Sequence, residues 1–171
     1  MKQTFSNERI ENVFAKLDQS AIRNPQSAVE SRSPVHVVYG GAHLFKAETP
    51  QKLGLIALKS LQEYVPSVEQ FAEVFNLDSK ISQTVFDRVT AKLGAEAVED
   101  FRIDFEDGYG FRTDAEEDRD AVAASDELAK ALHEKTISPF SGFRIKSFAP
   151  ETIKRALRTL DLFLSNLLEK T

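Results

Sequence analysis

The sequence predicts an α/β fold with a parallel sheet, and three observations predict it. Short β-branched or aromatic runs over 35–39, 101–106 and 142–148 read as strands. Segments with apolar residues three and four apart lie before, between and after them, as amphipathic helices require. Strands that alternate with helices imply βαβ units rather than a meander.

The composition narrows the class. The 171 residues are 42% hydrophobic and 29% charged, enough for one sizeable soluble core. A net charge of -5 and a pI near 5.3, without a clustered Lys/Arg excess, exclude a nucleic-acid footprint. With no cysteine, disulfides, thiolate metal sites and cysteine nucleophiles are excluded. The first twelve residues are polar and lack the apolar core of a signal peptide. No window reaches the roughly 18–20 apolar residues of a membrane span. The expectation is a soluble, cytoplasmic protein without membrane or nucleic-acid partners.

In chain order, Ile10, Val13, Phe14 and Leu17 share one face of a helix over 8–17, within an N-terminal helical extension, 1–34. The Ser-, Asn- and Pro-rich stretch 24–34 reads as a loop. The first strand, 35–39, stops at Gly40-Gly41. Three helices follow. The first has Thr49 as N-cap and Pro50 at its first position, with Leu53, Ile56, Ala57, Leu61 and Tyr64 on one side. Pro66-Ser67 precedes a short second helix marked by Val68, Phe71, Ala72 and Phe75. The third, 79–93, carries Ile81, Val85, Phe86 and Val89 and is expected to end at Gly94 as a C-cap.

The second strand, 101–106, breaks at Asp107-Gly108-Tyr109-Gly110. The helix after it, 114–135, opens with Asp114, Glu116, Glu117 and Asp118, which complement the positive end of its dipole. The acidic run through Asp120 therefore reads as capping and surface rather than metal binding. The third strand, 142–148, follows Pro139, and Ala149-Pro150-Glu151 opens a last helix that runs nearly to Thr171. That helix shows Ile153, Leu157, Leu160, Leu164, Leu167 and Leu168 as a core stripe, Phe163 on its flank and Leu162 on the far side. So broad an apolar surface calls for more protein to pack against. Three strands are also few for a complete α/β domain. The chain is expected to be incomplete or to borrow its missing half, associating through the last helix as a homo-oligomer.

The second strand carries the chemistry. Alternation puts Arg102, Asp104 and Glu106 on one face and Phe101, Ile103 and Phe105 on the other. A strand of a helix-covered barrel turns its apolar face outwards, so the charged face would point inside. This makes residues 1–171 a partial domain, the N-terminal portion of a TIM (β/α)8 barrel with about three βα units and extra helices. Buried carboxylates are costly unless paired, and these sit at the C-terminal strand end, where barrel enzymes keep their active sites. The competing reading is an internal ion-pair network of Arg102 with the acids and no chemistry.

On the third strand, Gly142, Arg144 and Lys146 share a face opposite Phe143, Ile145 and Ser147. Arg144 is a planar two-pronged donor suited to a substrate carboxylate, although a salt bridge to Asp104 or Glu106 accounts for it equally. Gly40 and Gly41 let backbone approach a ligand. His43 beside them is a proton carrier near neutral pH or a histidine satisfied within a tight turn. His36 reads as a packed strand residue and His133 as part of a solvated helix face. No Gly-rich phosphate loop, zinc-spaced histidine pair or Gly-x-Ser-x-Gly elbow is present.

Asp104-Phe105-Glu106-Asp107-Gly108 resembles the Asp-Leu-Glu-Asp segment of the HpcH/HpaI aldolase and citrate lyase beta-subunit superfamily. Phe143-Arg144-Ile145-Lys146 is similar to its Val-Arg-Ile-Asn-like segment on the next strand, with Lys146 where asparagine is frequent. A closer likeness is to a branch carrying the stretch Tyr39-Gly40-Gly41-Ala42-His43-Leu44-Phe45. The resemblance covers about residues 35–170. It implies a magnesium-dependent carbon–carbon lyase or aldolase acting on a keto-acid or acyl substrate. Arg144 would bind that substrate, with Gly40, Gly41 and Lys146 beside it. Asp104, Glu106 and Asp107, with His43, would orient water or carry protons, while magnesium polarises the carbonyl. The family's direct metal ligands lie on later strands, so no metal ligand is expected before Thr171, and this chain alone is expected to be inactive. Two other functions compete. One is a phosphotransferase acting on an enol phosphate, which the same scaffold allows. The other is a non-catalytic, truncated half-barrel that self-associates.

Overall fold

The computed structural model describes residues 32–171. The expected helix over 8–17 and most of the loop 24–34 lie outside the described residues. Three strands, β1 (Val37–Gly41), β2 (Asp100–Asp104) and β3 (Phe140–Arg144), form one parallel sheet in the order β1-β2-β3. A single 3-10 turn, Ala42–Leu44, follows β1. Then come α1 (Thr49–Tyr64), α2 (Val68–Phe75) and α3 (Ser79–Glu96). Helix α4 (Asp114–Glu134) joins β2 to β3, and α5 (Ile153–Leu168) ends the fold. The molecule is thus mixed α/β with a small parallel sheet.

The register explains the strand limits. Gly41 pairs with Asp104, and Asp104 with Arg144, so all three strands finish in one row. Phe105 N donates to Arg144 O at 2.8 Å as the last rung, after which the chain turns. β1 accordingly begins two residues later than expected. Val35 remains 89% exposed, and its N–H donates to Glu99 Oε2 instead of joining the ladder. His36 also precedes the strand, with Nδ1 3.2 Å from Ala97 O, so it does not pack within the sheet.

Local signals set most helix ends. Ser67 Oγ accepts from Gln70 N, and Asp78 from Lys80 N, at the starts of α2 and α3. Thr113 and Glu116 form a reciprocal capping box on α4. Thr49 lies within α1 rather than capping it, because Glu48 is the N-cap. Gly94 is not a C-cap. Among the described residues only Asn76, Lys135 and Gly110 take positive φ, so α3 runs through Gly94 to Glu96.

Phe101, Ile103 and Phe105 face α4 and α5 and form the core with Ala121, Ala124, Leu128, Leu162 and Phe163. The stripe expected for α5 holds at Ile153 and Leu157, which are buried, and is corrected toward its C-terminal half. Phe163 is fully buried, stacked on Phe143 with centroids 4.1 Å apart, and Leu162 is 6% exposed, whereas Leu168 is 73% exposed. The helix is turned by polar partners on α4. Thr159 Oγ1 donates to buried Glu117 Oε1 at 2.6 Å, and Asn166 Nδ2 to Ser125 Oγ at 2.7 Å. The acidic run is likewise not merely capping and surface. Asp118 pairs with Arg155 and Arg158, and Asp120 accepts from Tyr109 Oη at 2.7 Å. No helix among the described residues is long and apolar enough to cross a membrane.

Candidate functional site

The face of the sheet opposite the core carries Val37, Tyr39 and Gly41 on β1, Asp100, Arg102 and Asp104 on β2, and Gly142 and Arg144 on β3. It is open, since Val37 and Tyr39 keep 43% and 55% of their surface. The arginines lie over the acids, and Asp100 and Asp104 are buried beneath them.

Asp104 is the hub. Its Oδ1 accepts from Arg144 Nε at 2.8 Å and from Glu106 N at 2.9 Å. Its Oδ2 accepts from Arg144 Nη2 at 2.5 Å and from Gly108 N at 2.8 Å. The two backbone donors come from the turn that ends β2, so the turn and the arginine hold the carboxylate together. Burial opposes the charge on Asp104. The Arg144 hydrogen bonds and the Glu106 and Gly108 N–H groups outweigh it, and its carboxyl titrates below its ordinary value. The same hydrogen bond to Asp104 raises the Arg144 pKa.

Arg144 is fixed on three sides. Asp104 holds its Nε edge, Tyr39 lies under its guanidinium with Cζ 4.8 Å from the ring centroid, and Nη1 stands 3.2 Å from Asp107 Oδ2 and 3.6 Å from Glu106 Oε2. Gly41 closes the row. A Cβ there would collide with the Gly108 carbonyl oxygen and sit 2.7 Å from His43 Cε1, so only glycine lets β1 approach the β2 turn this closely.

The structure therefore brings Asp104, Glu106, Asp107 and Arg144 together, with Gly41 beneath. Gly40 points to the other face, where a Cβ would meet the Phe101 ring. His43 is exposed at the rim, its ring edge-on to Tyr109 at 5.5 Å. Lys146 departs from the face expected for it, because β3 ends at Arg144 and alternation ends with it. Its Nζ donates to Phe105 O at 2.9 Å and to Glu117 Oε2 at 2.6 Å, on the helix side of the sheet. Arg102 pairs with Asp100 at 2.7 Å, one row below the site, and not with Asp104 or Glu106. Tyr39 is the residue that sequence reasoning left out of the site. Its position two before Gly41 on the same face was the available signal.

An arginine gripped by a buried carboxylate, with two further acids in the turn after the central parallel strand, forms a polar cluster that is the candidate site on this α/β scaffold. Residues 14–171 match the family model described as Domain of unknown function (DUF6986), and the chain belongs to that family. No curated protein and no solved structure matches the chain.

Proposed function

We propose that the chain supplies the first strands of a (β/α)8-barrel lyase that makes or breaks a carbon–carbon bond beside the carbonyl of a keto-acid or acyl substrate. The observation that carries this reading is Arg144, oriented by Asp104 at the strand ends with its Nη1 turned away from that pair. Asp104 fixes the plane of the guanidinium, and the outer edge then offers parallel N–H donors to a carboxylate. A carbonyl next to that carboxylate would lie within the field of the same cation, which stabilises the enolate charge that develops when the adjacent bond breaks. Glu106, half-buried beside Arg144, would carry a proton to or from that carbon.

Magnesium, which the resemblance implies, does not fit the residues described here. Both Asp104 oxygens are filled by four donors, Glu106 and Asp107 lean on Arg144, and no group of three or more His, Asp or Glu among the described residues is arranged to hold an ion. The family's direct metal ligands are expected on later strands, so the roles assigned here are those that the arginine and the acids would play beside a metal held there.

A panel of 2-keto acids and acyl thioesters, given to a chain that completes the barrel and followed by proton NMR for bond cleavage or condensation, tests the reading. Arg144→Lys should lower substrate affinity about ten- to a hundredfold, since an ammonium cannot reproduce a charged two-pronged contact worth roughly 1.5–3 kcal/mol. Turnover by Arg144→Lys at wild-type efficiency would contradict the assignment.

A further inference from the structure

The guanidinium of Arg144 has two unlike edges. Nε and Nη2 are committed to Asp104, which is 1% exposed. Among the described residues, Nη1 has only the longer ion-pair contacts, 3.2 Å to Asp107 Oδ2 and 3.6 Å to Glu106 Oε2. The acids that make those contacts also differ. The Glu106 side chain is 34% exposed, whereas that of Asp107 is 83% exposed and has no other ion pair among the described residues.

We infer that Asp107 is an internal competitor for the ligand: its carboxylate covers Nη1 of Arg144 in the free protein and gives way when a ligand carboxylate arrives. This rests on the reading of Arg144 as the carboxylate anchor. Displacing Asp107 costs little, because an exposed ion pair contributes little and water takes over its solvation at once. Displacing Asp104 would instead leave a buried carboxylate without its cation, so the inner edge holds while the outer edge exchanges. The arrangement also selects. A ligand offering one weakly basic oxygen gains no more from Nη1 than Asp107 already does. A carboxylate that bridges Nη1 and the remaining Nη2 hydrogen gains a second, parallel bond. Asp107 is in this sense a specificity-determining residue, setting the threshold that an anion must exceed to enter.

The full chain is titrated with pyruvate at fixed ionic strength, with binding read by calorimetry. Asp107→Asn keeps the shape of the side chain and removes its charge. It should bind pyruvate about two- to fivefold tighter than wild type, the scale set by an exposed ion pair. Its thermal melting should be unchanged, because the side chain is almost fully solvated. Glu134→Gln, an exposed acid at the far end of α4, should leave pyruvate affinity unchanged. Arg144→Met should abolish binding in both the wild-type and the Asp107→Asn background. If Asp107→Asn binds no tighter, or Glu134→Gln tightens binding equally, while Arg144→Met still abolishes it, the competitor role is overturned and the anchor stands. If Arg144→Met binds as wild type does, or no variant binds pyruvate, the anchor fails and the competitor role fails with it.

Discussion

A carboxylate that accepts four hydrogen bonds while 1% exposed is held in its ionised form by its neighbours, and Asp104 is such a group. Its burial alone would push the carboxyl up. The Arg144 side chain and the Glu106 and Gly108 N–H groups push it down further, so its folded pKa lies below the ordinary 3.8. Asp104 therefore stabilises the fold fully above that ordinary value, and the contribution is lost as pH falls through the lower folded value. Asp104→Asn should cost about 2–3 kcal/mol at pH 7, somewhat under the cost of breaking a fully buried pair because Arg144 is partly solvated. In urea melts the gap between wild type and Asp104→Asn should narrow as pH falls toward 2. A gap independent of pH would contradict the electrostatic account. At this scale alternation made much legible. Period two placed Asp104 and Arg144 on one face of neighbouring strands, and Tyr39 follows from the same rule. Lys146 did not obey it, because alternation holds only while the strand does, and β3 stops at Arg144. Which acid Arg102 would choose was not legible, since Asp100, Asp104 and Glu106 all share its face.

The helices show where pattern alone misleads. Apolar spacing in α5 drew a stripe through Leu160, Leu164 and Leu168. The observed face centres on Phe163, with Thr159 and Asn166 in line above and below it. Each of these polar groups has its complement on α4, Glu117 for Thr159 and Ser125 for Asn166. An unpaired buried polar group costs more than the gain from turning one further leucine inward, so hydrogen bonding decides the rotation. The helices themselves were easier to read than their caps: neither Thr49 nor Gly94 caps its helix, and the Thr113–Glu116 box and the Ser67 cap were not anticipated. Phe163 joins α5 to both Phe105 and Phe143. Phe163→Ala should therefore destabilise the fold by about 3–5 kcal/mol, as expected for an aromatic truncated inside a core. Calorimetric melting checks this, and a loss below about 1 kcal/mol would mean that Phe163 is not the link between α5 and the sheet.

Across the whole molecule the two faces of the sheet divide the work. Helices α4 and α5 cover the apolar face and supply cohesion, while the charged face stays open and carries the row Gly41, Asp104 and Arg144. The parallel α/β class was legible in the sequence because strand and helix patterns alternate. The division of β2 into a charged and a core face was legible because charge and aromatics alternate along it. The rotation of α5 and the partners of the acidic run were not, since both depend on contacts between residues about forty positions apart. The central claim, that Arg144 is the anchor for a ligand carboxylate, is tested most directly at the arginine itself. In nitrogen-15 NMR the Arg144 Nε–H, bonded to buried Asp104, should give a side-chain signal that Asp104→Asn shifts and Arg144→Lys removes. Added pyruvate should move that signal in a saturable way, with a midpoint equal to the affinity found by calorimetry. A signal that stays fixed while pyruvate binds elsewhere in the protein would contradict the claim.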